Sequence, residues 1–249
     1  MDLQLSSRRA VVTGAAGGIG RAAVGALAAE GARVGAVDLD PRVREIPRVR
    51  EIGGHGVVAD LTDADAAAAA VDACARKLGG IDVLVLAAGI SGPVGSPLEE
   101  TSAADWERVF AVNVTGAFLT LRAALPWLRR SEARAVVVVA SDSALVATTG
   151  MVPYAASKAA LLHLARASAV ELAPEGIRVN AVCPSIVDTP MSRRDLGMPE
   201  GFAGADYPVQ TPAEVADQIV LLASPRLRPV SAATWVSDFG MSARSGFPA

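Results

Sequence analysis

Tyr154 and Lys158 stand four residues apart in the stretch Tyr154-Ala155-Ala156-Ser157-Lys158, and the Ala- and Leu-rich run over 159–172 contains no helix breaker. At that spacing a phenol and an ammonium share one face of a helix, close to its N-terminal end. A phenol titrating near 10 is a poor proton carrier at neutral pH, and lowering it by about three units takes roughly 4 kcal/mol of preference for phenolate. One ammonium about 4 Å away supplies roughly that energy at an effective dielectric near 20. Lys158 is therefore expected to bring Tyr154 into the range of a general acid or base. Tyr-x-x-x-Lys alone arises often by chance, so its meaning depends on the residues upstream.

Those residues supply a place for a dinucleotide. An apolar strand over 9–13 runs into Thr13-Gly14-Ala15-Ala16-Gly17-Gly18-Ile19-Gly20, and a helical pattern follows over 21–30. Glycines permit the tight turn and a close approach of backbone N–H groups to a pyrophosphate, which the positive end of the helix also favours. The spacing is Gly-x-x-x-Gly-x-Gly rather than Gly-x-Gly-x-x-Gly, but the strand before it and the helix after it are those a dinucleotide fingerprint requires. A second strand over 33–37 ends in Asp38, 18 residues beyond Gly20, where an acid can bind the adenosine ribose hydroxyls. That carboxylate would repel the extra phosphate of NADP, and neither Leu39 nor residues 15–18 offer a cation to welcome it, so NAD(H) is expected over NADP(H). Asp38 also reads as a turn residue ahead of Pro41.

The elements that must position these groups follow in a regular alternation. A third strand over 57–59 leads to Asp60, which would overlook the adenine pocket, then Leu61 and a Thr62-x-x-Asp65 capping box opening an Ala-rich helix to Leu78. A fourth strand over 81–86 ends in the small-residue turn Ala87-Ala88-Gly89. Ser102-x-x-Asp105 caps a helix whose interior carries Asn113, an amide expected to face a polar partner or water. The valine-rich strand over 135–140 delivers Ser141 to its carboxyl end, the edge at which open α/β sheets bind ligands, 13 residues before Tyr154. A sixth strand over 176–183 precedes an irregular stretch, 188–210, expected to form a substrate-side lid. Thr211-Pro212-Ala213-Glu214 opens a helix to about 223, and a strand over 234–237 closes the sheet. This pattern predicts one α/β domain, Rossmann-like and doubly wound, with a mainly parallel seven-stranded sheet and helices on both faces. The direct repeat Pro-Arg-Val-Arg-Glu-Ile, at 41–46 and again at 47–52, is too short for a solenoid; Pro47 breaks any helix begun at Pro41, so a broken surface helix without chemistry is expected.

Composition narrows the partners. A chain of 249 residues, 51% hydrophobic, can bury a large core, and 23 basic against 26 acidic residues with no basic block remove the footprint of a nucleic-acid binder. The polar N-terminus and the lack of an apolar run near 18 residues argue against export or membrane spanning. Cys74 and Cys183 are unclustered and read as reduced core residues of a cytoplasmic protein, and no metal-ligand cluster is present.

With Thr13 to Gly20, Asp38, Asp60, Asn113, Ser141 and Tyr154-x-x-x-Lys158 in order, the chain resembles the short-chain dehydrogenase/reductase family over essentially its whole length. Gly176-Ile-Arg-Val-Asn-Ala-Val-Cys-Pro184 is similar to that family's strand after the catalytic helix. The resemblance implies an NAD-dependent oxidoreductase interconverting a small secondary alcohol and its ketone, assembled as a homodimer or homotetramer through the outer faces of helices 102–130 and 154–173. Tyr154 would be the general acid/base, Lys158 would bind the nicotinamide ribose and depress the phenol, Ser141 would hydrogen-bond the substrate oxygen, and Asn113 would hold a proton-relay water. Gly14, Gly18, Ile19, Gly20, Asp38, Asp60, Leu61, Ala88, Gly89, Pro184, Val187 and Thr189 would complete the cofactor site. Two rivals stand beside this reading: an NADP-dependent 3-oxoacyl or polyketide-type ketoreductase, and a catalytically silent NAD-binding scaffold.

The chain departs from the family at Leu86-Ala87-Ala88-Gly89, where Asn-Asn-Ala-Gly is usual, and at Ser185, where a glycine is. The ending Val236-Ser237-Asp238-Phe239-Gly240 is a blurred Val-Asp-Gly-Gly. His163, nine positions after Tyr154, faces about 180° away from it, and His55 reads as a solvated turn residue. Arg193 and Arg194 read as solvated surface or as an anion contact, and Asp142 stays ambiguous. Leu145, Val146, Met151, Ile90, Pro93 and Met191 suggest a substrate pocket with few charges.

Overall fold

Three of the strands carry unbroken runs of valine, alanine and leucine. The computed structural model describes residues 2–51 and 53–244 and shows why the runs do not alternate. In β1 (Arg9–Thr13), Val11 packs into one core layer while Ala10 and Val12 pack into the other. β4 (Val83–Leu86) and β5 (Ala135–Val139) divide their side chains the same way, because helices cover both faces of the sheet. β2 (Arg33–Asp38), β3 (His55–Val58), β6 (Arg178–Pro184) and β7 (Thr234–Ser237) complete a seven-stranded sheet of order β3-β2-β1-β4-β5-β6-β7. Every pairing is parallel, so the sheet is parallel throughout.

On one face lie α3 (Ala64–Leu78), α5 (Gly116–Leu128) and α6 (Val152–Leu172); on the other lie α1 (Gly18–Ala29) and α8 (Pro212–Ala223). The order of strands reverses between β1 and β4. The ends of those two strands therefore open a crevice at their carboxyl edge, where the chain leaves in opposite directions. Arg9 locks the opposite end: its guanidinium donates to both oxygens of Asp82 at 2.8 and 2.7 Å, its main-chain N–H to Oδ2 at 2.8 Å, and the Ser131 hydroxyl to Oδ1 at 2.5 Å.

Four local expectations change. The strand expected at 57–59 begins at His55, which pairs with Gly35 and is half-buried rather than a solvated turn residue. Asp63, not Thr62, caps α3 by accepting the Ala66 N–H at 2.8 Å, whereas Thr62 is turned back to Asp60. The tandem repeat forms two unlike pieces, a 3₁₀ turn over Pro41–Glu45 and α2 (Pro47–Glu51), and Val43, Ile46 and Val49 are buried, so the segment is part of the core. Ile52, its last residue, lies outside the described residues. Within the stretch 188–210, Pro190–Asp195 form a short helix, α7, capped by Thr189.

The caps at Ser102 and Thr211 are as expected, Ser102 accepting the Asp105 N–H at 3.0 Å and Thr211 forming a reciprocal box with Glu214. Ser102 starts α4 (Ala103–Phe110), and a π turn over Ala111–Thr115 joins it to α5. Residues 103–128 together are long and apolar enough by length and composition to cross a membrane, contrary to the sequence reading. In the fold their Ala117, Leu121, Ala124 and Leu128 pack into the core layer with α3 and α6.

Candidate active site

The turn after β1 is closed by close approach. Gly14 has φ +63°, and a Cβ there would meet the Ala87 carbonyl oxygen at 2.7 Å; a Cβ on Gly20 would run into the Gly14 carbonyl oxygen. Both positions therefore exclude a side chain. The Thr13 hydroxyl braces the facing turn from the other side, accepting the N–H groups of Ala87 and Ala88 at 3.1 and 3.3 Å. That hydroxyl ties the turn to β1 although Leu86-Ala87 brings no side-chain amide. No side chain caps α1 and no acid stands in its first turn, so its positive end stays open to an anion.

Two adjoining cavities lie along this edge. One, about 380 Å³, is lined by Gly14, Gly18, Ile19, Gly20, Asp38 and Asp60, together with Leu61, Ala88 and Gly89. The other, about 350 Å³, is lined by Ser141, Tyr154, Lys158, Pro184, Val187 and Thr189. Ile19, Gly89 and Thr189 border both, so the glycine turn and the phenol open onto one continuous groove. The residue types fit a dinucleotide: backbone and a helix end for the pyrophosphate, Asp38 and Asp60 for hydroxyl and base, small residues where the backbone must come close. A Cβ on Gly89 would stand 3.2 Å from Asn113 Oδ1 and 3.5 Å from Lys158 Nζ.

Asn113 enters neither cavity. It is fully buried, accepts the Ile90 N–H at 2.8 Å, and gives its two amide protons to the Ile90 carbonyl and to Ser157 Oγ, both at 2.9 Å. Ser157 passes its own proton to the Tyr154 carbonyl at 2.7 Å. The side chain thus has no amide proton left for a water; it ties the turn after β4 to the first turn of α6. Ser157 lies inside the Tyr-x-x-x-Lys stretch and was not recognised from sequence, where a serine in a helix reads as filler.

Lys158 and Tyr154 share a helix face, with Nζ 5.6 Å from the ring centroid, but the ammonium donates to the Val139 carbonyl at 3.0 Å. Burial pushes Lys158 down to about 8. Burial also pushes the Tyr154 phenol up to about 12, and the charges of Asp142 and Asp195 act in the same direction. Hydrogen bonding with Ser141 lowers it, and the serine's own proton is directed to Asp142 Oδ1 at 3.0 Å. The expectation that Lys158 alone brings the phenol toward neutrality is not met: desolvation is the largest influence on it, and the ammonium, turned to the Val139 carbonyl, is not among the groups that lower it.

The substrate side also differs from the sequence reading. Met151 and Met191 line the second cavity, but so do the carboxylates of Asp142 and Asp195, while Ile90 lies on the cofactor side and Leu145 and Val146 are exposed. Arg193 and Arg194 are each paired, with Asp188 at 2.5 Å and Asp195 at 2.9 Å. Arg42, three positions beyond Leu39 and not expected from sequence, lines the first cavity and is held by Asp40. Among the described residues no group of acids, histidines and cysteines is placed to hold a metal.

A family model described as enoyl-(acyl carrier protein) reductase matches residues 14–242. The chain belongs to the short-chain dehydrogenase/reductase family. It is 35% identical to D-threitol dehydrogenase of Mycolicibacterium smegmatis, over 96% of this chain and 94% of that one. It is 37% identical to cis-4-hydroxycyclohexanecarboxylate dehydrogenase of Sinomonas cyclohexanicum, over 98% and 100%. A short-chain dehydrogenase from Mycobacterium paratuberculosis, solved bound to NAD, superposes with a TM-score of 0.86 at 29% identity, covering 97% of this chain and 100% of that one. Members with such names and such coverage make this chain an oxidoreductase acting on CH–OH groups, with a Rossmann-type site for a nicotinamide cofactor.

Proposed function

We propose that the protein interconverts a small secondary alcohol and its ketone with NAD(H), and that Tyr154 carries the proton. The observation that supports this best is the position of Tyr154 and Ser141 in a cavity continuous with the glycine turn. The bound nicotinamide supplies the hydride acceptor or donor. Gly14 to Gly20 hold the pyrophosphate by backbone contact, and Asp38 takes the adenosine ribose. Its carboxylate already faces the turn, accepting the N–H groups of Ala16 at 2.8 Å and Asp40 at 2.9 Å. Lys158, anchored on Val139, reaches the nicotinamide ribose, and Thr189 with the Val187 backbone meets the carboxamide. Residues 188–210 cover the substrate and exclude water. Asn113 positions Tyr154 through Ser157.

The substrate is small: relatives named for threitol and for a hydroxycyclohexane acid agree in scale with a cavity of about 350 Å³. The protein works in the cytoplasm as a homodimer or homotetramer. Exposed Trp106 and Phe118 on α4 and α5 and Val170 on α6 favour assembly through those faces, and sedimentation as a monomer at micromolar concentration would contradict it.

The test is a screen of sugar alcohols, cyclic alcohols and hydroxysteroids for reduction of NAD, followed by the reduced nicotinamide's absorbance. Turnover that Tyr154→Phe abolishes supports the reading, and no turnover with any of them favours the silent scaffold. Tighter binding of NADPH than NADH would instead favour the 3-oxoacyl-type ketoreductase.

A further inference from the structure

We infer that Asp142 and Asp195 adapt the substrate cavity to a secondary alcohol that also carries an ammonium group, and turn away alcohols that carry a carboxylate. The inference rests on the proposed function, because it names the substrate class of that same cavity.

From sequence, Arg193 and Arg194 read as solvated surface or as an anion contact, and the fold reverses the polarity of the second reading. Arg193 is paired with Asp188 and is not part of the cavity wall. Arg194 also stays off the wall: its Nε and an outer nitrogen meet Asp195 Oδ1 at 3.0 and 2.9 Å, it reaches Ser91 Oγ at 3.4 Å, and 69% of its side chain is exposed. The acids are what the cavity receives. Asp142 comes from the 3₁₀ turn Asp142–Ala144 after β5 and Asp195 from the last position of α7, so two carboxylates reach one space from separate elements.

Each carboxylate keeps one oxygen uncommitted. The hydroxyls of Ser141 and Ser143 both fall on Asp142 Oδ1, at 3.0 and 3.5 Å, and both contacts of Arg194 fall on Asp195 Oδ1. Among the described residues nothing donates to either Oδ2. The Asp195 side chain is 13% exposed and Asp142 is half-buried, in a wall that includes Val94, Met151, Ile186 and Met191. Carboxylates partly withdrawn from water against such a wall gain most from a ligand that brings both a donor and a positive charge. Among the described residues the only cation on the wall is Lys158, which is committed to the Val139 carbonyl at 3.0 Å on the side shared with Gly89 and the cofactor cavity. Both carboxylates act on the Tyr154 phenol by charge, so their negative field extends to the reacting oxygen. A neutral hydroxyl can donate to either Oδ2 but leaves that field uncompensated, and a carboxylate adds to it.

The test uses the trans isomers of three ligands of similar size, 4-aminocyclohexanol, cyclohexane-1,4-diol and 4-hydroxycyclohexanecarboxylate, titrated into the enzyme–NADH complex at pH 7, where the amine is protonated. NADH cannot accept a hydride, so nicotinamide fluorescence reads binding without turnover. The ammonium ligand should bind about tenfold tighter than the diol, and the carboxylate more weakly than the diol. Asp142→Asn and Asp195→Asn each keep the shape and remove one charge; each should reduce the ammonium preference severalfold, and the double variant should bring ammonium ligand and diol level. A diol as tight as the ammonium ligand, or no binding of the ammonium ligand, would overturn the inference. So would a carboxylate as tight as the ammonium ligand, which would mean that Arg194 faces the ligand, or a preference that survives in the double variant. The wild-type order decides even where a variant fails to fold. Turnover is a separate measurement: if NAD oxidises none of the three in a Tyr154-dependent way, the proposed function falls, while the order of binding to the NADH complex still decides whether the cavity prefers a cation.

Discussion

Asn113 Nδ2 lies 2.9 Å from Ser157 Oγ, across the 44 positions that separate the π turn from the helix carrying Tyr154. The same amide clasps both backbone groups of Ile90, so one buried side chain joins the turn after β4, the α4–α5 junction and α6. Asn113→Ala would leave the Ile90 N–H, its carbonyl and the Ser157 hydroxyl without that partner inside the protein. At roughly 1–3 kcal/mol for an unsatisfied buried group, the variant should lose about 3 kcal/mol of stability in denaturant unfolding. Its kcat should fall more than its cofactor affinity, because Asn113 touches neither cavity but sets where the phenol stands.

Tyr154→Phe keeps the ring and removes the proton carrier. It should lower turnover roughly 10²- to 10⁴-fold while NADH titration by fluorescence gives a nearly unchanged Kd. Lys158→Ala should impair both, because it removes the proposed ribose contact together with the buried ammonium. If Tyr154→Phe turned over an accepted substrate at near-wild-type rate, another group must carry the proton.

Tyr154 is pushed up to about 12, so the phenol stays protonated through neutral pH. Alcohol oxidation needs the phenolate to receive a proton, and its kcat/KM should climb with pH from 7 to about 10. Asp195→Asn removes one of the two charges that hold the phenol up, and should move that limb to lower pH. An unmoved limb would mean that Asp195 is screened from the phenol by its partner Arg194.

The seven strands, the glycine turn and the Tyr154–Lys158 face could be read from sequence because each depends on short-range pattern: apolar runs, glycine spacing, helical period. What could not be read depends on where side chains go once distant elements meet. Thr62 and Asp63 both suit an N-cap, and only the path of the chain out of β3 gives Asp63 the Ala66 N–H. The sequence repeat at 41–52 suggested a surface segment because Pro47 breaks any helix begun at Pro41, yet the broken pieces place Val43, Ile46 and Val49 in the core. The phenol's titration was misjudged for a related reason: spacing gives the distance to Lys158 but not the burial or the carboxylates of Asp142 and Asp195.

Asp82 lies far from the groove and offers a separate test of the fold. Burial alone would push its carboxyl up, but hydrogen bonds from Arg9 and Ser131 and the Arg9 charge hold it below the ordinary carboxylate value. A carboxyl depressed in the folded state contributes stability that is present above its unfolded value, near 4, and is lost as pH falls through the lower folded value. Asp82→Asn should therefore cost about 3 kcal/mol at pH 7, and the gap to wild type should narrow as the pH drops below about 4. A gap constant between pH 7 and 3 in urea unfolding would show that the ion pair contributes nothing beyond its packing.

The proposed preference for NAD(H) turns on Asp40 as well as Asp38. Arg42 lines the adenosine side of the groove and is the kind of cation a 2′-phosphate would attract, but Asp40 accepts from its Nε at 2.8 Å and pairs with its outer nitrogen at 2.5 Å. Held this way, Arg42 has its charge neutralised at close range, while Asp38 presents a carboxylate toward the same space. Asp40→Ala should release the guanidinium, and Asp38→Ala should remove the repulsion. The double variant should therefore gain NADPH affinity by more than either single change, because only then does a free cation face an uncharged pocket. The pair is exposed and therefore weak, so Asp40→Ala alone should tighten NADPH by no more than about fivefold and leave NADH almost unchanged. Isothermal titration of the three variants with both cofactors measures this, and an unaltered NADPH affinity in the double variant would show that Arg42 does not reach the 2′ position.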